Sequence, residues 1–154
     1  MANSDAFVSF DIGATAQEVD EVERLFTDAD VAATVSEQPY SLVASVDVNV
    51  DAFVVVTTAA TGFLTVIAAK AGADAYEALK TIVIGLRAAR KRDHGRIEIV
   101  IRAENDGSPD IVIGPDAPPE ALRALLTGEL PAAPSGAIEY DPRTRRWVDS
   151  ASQQ

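Results

Sequence analysis

The sequence predicts one α+β domain of two layers, a mostly antiparallel sheet of four or five strands with helices covering one face. Three observations carry that reading. Short segments alternate apolar and polar residues with a period of two, longer ones repeat apolar residues every three or four positions, and turn-forming residues separate them. A chain of 154 residues, 47% hydrophobic and 24% charged, has room for one packed core.

Ala6 to Ile12 reads as a strand with Val8, Phe10 and Ile12 on its core face. Thr15-Ala-Gln-Glu18 is a capping box, in which the threonine hydroxyl accepts from a helix N–H and the glutamate reaches back to the cap. Val19, Val22 and Phe26 follow at helical spacing, so a helix runs from Ala16 to Thr27. Val31 to Val35 is a β-branched stretch broken by Glu37-Gln-Pro-Tyr40. Leu42 to Val50 alternates as a strand with one wet face, and Phe53 to Thr57 is an apolar, central strand.

From Thr61 the period becomes helical through Phe63, Val66, Ile67, Tyr76, Leu79, Val83 and Leu86. This is one long helix or two segments interrupted near Gly72, closing with Arg87, Arg90, Lys91 and Arg92 before Gly95. Arg96 to Arg102 is a strand with Ile97, Ile99 and Ile101 on one face. Asn105-Asp-Gly-Ser-Pro109 turns it into a hairpin with Asp110 to Ile113. A short helix opens at Pro118 and Pro119, carries Leu122, Leu125 and Leu126, and ends at Gly128. Residues 1–128 form the predicted domain, with a ferredoxin-like arrangement as the leading topology. Residues 129–154 read as a proline-rich connector, a small hairpin pairing Ile138 to Tyr140 with Arg146 to Val148, and a frayed tail.

The formal net charge of −11 disfavours nucleic acid and anionic membrane surfaces as partners. The charge is segregated: residues 1–60 sum to −10, 61–103 to +4 and 104–154 to −5. Without cysteine the chain has no disulfide, thiolate zinc site, iron–sulfur cluster or cysteine nucleophile, which suits a reducing cytoplasm. Its first residues, Met1-Ala-Asn-Ser-Asp-Ala6, lack the basic start of a secretory signal, so a cytoplasmic location is expected.

No motif in the sequence assembles a catalytic, cofactor or metal site. Ala52 to Ala69 is uncharged for eighteen residues, but its threonines, glycine and β-rich start argue against a membrane span. Asp11-Ile-Gly-Ala-Thr15 matches a phosphate loop of actin-like ATPases, yet a capped helix follows where that fold needs a second strand. Asp47-Val-Asn-Val-Asp51 copies half a calcium loop, with Ala52 where glycine belongs and Thr58 where glutamate belongs. His94 is the single histidine, so no His–His or Ser–His pair with a second histidine exists. Carboxylates are plentiful, and an enzyme using two distant ones stays open as a reading.

Two features point to a partner. Arg87, Arg90, Arg96 and Arg102 belong to the positive segment, whose helix-terminal part the helix dipole favours in any case and whose remainder suits an acidic protein surface. Tyr140-Asp-Pro-Arg-Thr-Arg-Arg-Trp147 holds the one tryptophan, a lid on the core or an anchor for a partner. The expected partner is another protein or a second copy. A small acidic inhibitor of a basic toxin or nuclease, using Asp47, Asn49 and Asp51, is the alternative.

The order strand, helix, strand, long alanine-rich helix ending in arginines, then a hairpin around Asn105-Asp-Gly resembles the small effector-associated constant components (EACC-like domains) of bacterial conflict systems. The similar part runs from Ala6 to Ile113, notably Phe63 to Arg92 followed by Ile97 to Ile113, with Gly85-Leu86 where those domains often carry Trp-Leu. The resemblance implies a noncatalytic adaptor or assembly module in a bacterial defence or signalling system.

Overall fold

The computed structural model describes residues 6–10, 14–39, 52–58, 63–90, 97–103, 109–127, 130–134 and 136–153. Outside them lie the expected strand Leu42 to Val50 with Asp47, Asn49 and Asp51, the Asp11 to Gly13 loop, Lys91 to Arg96 including His94, and the Asn105 turn.

Among the described residues, seven strands and four α-helices form an α+β fold. They are β1 (Ala6–Phe10), α1 (Ala16–Asp28), β2 (Ala33–Pro39), β3 (Ala52–Thr58), α2 (Phe63–Ala71), α3 (Ala75–Arg90), β4 (Ile97–Ala103), β5 (Asp110–Ile113), α4 (Pro119–Thr127), β6 (Ala137–Asp141) and β7 (Arg146–Asp149). The sheet order is β2-β1-β3-β4-β5-β6-β7. The mostly antiparallel, four- or five-stranded, ferredoxin-like sheet expected from the sequence is therefore incorrect. Three of the six neighbouring pairs, β1–β2, β3–β4 and β5–β6, are parallel. The reason is connectivity. In each of these pairs a helix carries the chain back along the sheet before the second strand begins, and only such a crossover can join parallel neighbours. Strands joined without a helix, β4–β5 and β6–β7, pair antiparallel.

Local chemistry sets the helix ends. At the start of α1 the Glu18 N–H donates to Thr15 Oγ1 at 3.2 Å while the Thr15 N–H donates to Glu18 Oε1 at 3.1 Å, completing the capping box. The helix stops in a Schellman turn: the Val31 N–H donates to Phe26 O at 2.9 Å and the Asp30 N–H to Thr27 O at 3.0 Å. Asp30 holds the left-handed conformation there, φ 60°, a position where glycine usually sits. The long helical stretch is interrupted at Gly72, whose φ of +57° breaks the ladder between α2 and α3.

One face of the sheet meets the helices. Val8, Phe10, Val54, Val56, Ile99, Ile101, Ile113 and Ile138 pack with Val22 and Phe26 of α1, Ile67 of α2, Leu79, Ile82 and Leu86 of α3, and Leu122 and Leu125 of α4. The opposite face is buried at its centre through Val55, Val100 and Val112 and carries the buried carboxylate of Glu98. The sheet runs on through the terminal hairpin, where β6 pairs with β5 and Trp147 of β7 closes the core against α4. Among the described residues no helix is long and apolar enough to cross a membrane.

Candidate functional site

Strands β1, β2, β5 and β6 run one way and β3, β4 and β7 the other, so the chain's turns gather at two ends of the sheet. One end holds the start of α1, the β5–α4 loop and the β6–β7 turn. The other holds the end of α1 and the start of α3.

At the first end lies a cleft of about 230 Å³. It forms because β5 stops at Gly114 and the chain folds over Pro115-Asp-Ala-Pro118 into α4, with the Ala117 N–H donating to Gly114 O at 3.2 Å. Glu98 of β4, Glu139 of β6 and Asp116 of the loop line it, with Tyr140 and Pro142. Glu98 is 3% exposed. Glu98 and Glu139 stand on strands either side of β5 and are offset by two residues along it, so their backbones are about 12 Å apart. The volume is below the several hundred Å³ usual for a small-molecule site. Among the described residues no group of three carboxylates or histidines is placed to hold a metal ion.

Arg87 of α3 braces this end. Its Nη2 donates to Gly114 O at 2.6 Å, tying the helix to the loop that shapes the cleft. Burial pushes its guanidinium below the usual arginine range, and the nearby negative charge of Asp116 acts in the opposite direction. Arg102 of β4 makes a forked ion pair with Asp110 of β5, with Nη2–Oδ2 at 2.7 Å and Nε–Oδ1 at 3.1 Å. Trp147 is 6% exposed, donates its indole N–H to Ala121 O at 2.9 Å and meets Tyr140 edge-on. Arg90 ends α3 with its side chain outside the described set, as is Arg96. The structure thus places Arg87, Arg102 and Trp147 in three separate internal contacts and does not bring them together.

Two further cations lie near one aromatic ring. The Arg123 guanidinium lies 4.5 Å and the Lys80 ammonium 5.9 Å from the centre of the Tyr76 ring.

At the other end, α1 and α3 form an open groove of about 400 Å³ lined by Asp28, Asp30, Asp74 and Glu77 with Ala29, Ala78 and Thr81. Among the described residues these four carboxylates meet no cation. Asp74 and Glu77 sit at the start of α3, where the helix dipole favours them; Asp28 and Asp30 sit at the end of α1, where it does not. The chain therefore keeps two acids in places its own fold disfavours. Exposed cations include Arg24, one turn before Asp28 on α1, and Arg123 of α4; Arg143, Arg145 and Arg146 project from the β6–β7 turn, where among the described residues they have no ion-pair partner.

Sequence reasoning missed the groove because its acids come from segments more than forty positions apart. The available signal was local, an Asp-Ala-Asp30 sequence with no basic residue at the close of a helix. The chain has no significant match among protein-family models, curated proteins or solved structures.

Proposed function

We propose that this protein is a noncatalytic protein-interaction and assembly module, and that its acidic groove receives positive charge from its partner. The observation that carries the reading is the groove at the junction of α1 and α3: four carboxylates in one concavity that among the described residues form no ion pair, two of them against a helix dipole. A partner's lysines or arginines supply the missing counter-charge. Arg87 and Arg102 are engaged within the fold, at the Gly114 carbonyl and the Asp110 carboxylate, and so are not placed to neutralise the groove. The resemblance in element order to adaptor components of bacterial conflict systems agrees with such a role and suggests a defence or signalling setting. A small inhibitor that covers a basic toxin or nuclease uses the same chemistry, with the groove as its contact. In either case the protein works by occupancy, and its specificity lies in charge placement.

Light scattering at low and high salt, combined with affinity capture from the native host, tests the proposal. A second copy or a defined basic protein bound at low salt and released at high salt is the expected result. A monomer at every concentration with nothing captured would overturn it.

A further inference from the structure

We draw no further inference here: the strongest candidate, the cleft at the end of β5 where Glu98, Asp116 and Glu139 stand beside Tyr140 and Pro142, is a cluster of carboxylates, and nothing else among the described residues points to the ligand it would take.

Discussion

Truncating Trp147 to alanine should remove a large part of the folding free energy, because this side chain joins the terminal hairpin to the rest of the molecule. Only 6% of it is exposed, it packs against α4 and Tyr140, and its indole N–H is hydrogen-bonded to Ala121 O at 2.9 Å. Emptying a buried tryptophan site costs about 3–5 kcal/mol. Against a total of about 5–15 kcal/mol for a domain, that is a fifth or more. Trp147→Phe keeps most of the packing but loses the hydrogen bond, for about 1–2 kcal/mol. Urea denaturation followed by far-UV circular dichroism should therefore show the midpoint falling by about 1–3 M for alanine and by less than half of that for phenylalanine. In the wild type, emission from this single tryptophan should change in the same transition as the circular dichroism signal. An alanine variant within about 0.5 kcal/mol of wild type, a change typical of surface sites, would refute the view that β7 is part of the core.

Three further outcomes follow from the geometry. A double-mutant cycle on Arg102→Ala and Asp110→Ala should give a coupling of about 1 kcal/mol, because the pair is forked yet partly solvent-exposed, and the coupling should shrink in about 1 M salt. A β-carbon on Gly85 would fall on the Leu25 side chain, so Gly85→Ala should gain about 1 kcal/mol of helix propensity and lose a similar or larger amount to overpacking; adding Leu25→Ala should relieve that clash, seen as nonadditive urea midpoints. Thr15→Ala removes one half of the capping box and should lower stability by about 1 kcal/mol in thermal or urea unfolding.

Features that depend on neighbouring residues are legible in the sequence. The Thr15 and Glu18 pair specifies the start of α1, and the alternation of Ile97, Ile99 and Ile101 specifies which face of β4 is inward. Strand direction is not encoded this way, because alternation looks the same in parallel and antiparallel strands. It follows from the connectors. The β5–α4–β6 crossover is hidden by the short length of β5 and by the proline- and alanine-rich approach to β6, which reads as a linker although its far end pairs with Asp110. Charge has the same limitation. A run of arginines reveals sign but not whether a backbone carbonyl waits across a loop, as Gly114 O does for Arg87, or a carboxylate across a hairpin, as Asp110 does for Arg102.

The central claim is that binding runs through the acidic groove, and capture on immobilised protein tests it most directly. Wild type should be compared with Asp28→Asn/Asp74→Asn/Glu77→Gln, which neutralises the groove with near-isosteric side chains. At low salt the wild type should retain a defined partner, a second copy or a basic protein, and the variant should lose it while its unfolding midpoint stays close to that of the wild type. Equal retention by the two proteins, or none by either, would contradict the account.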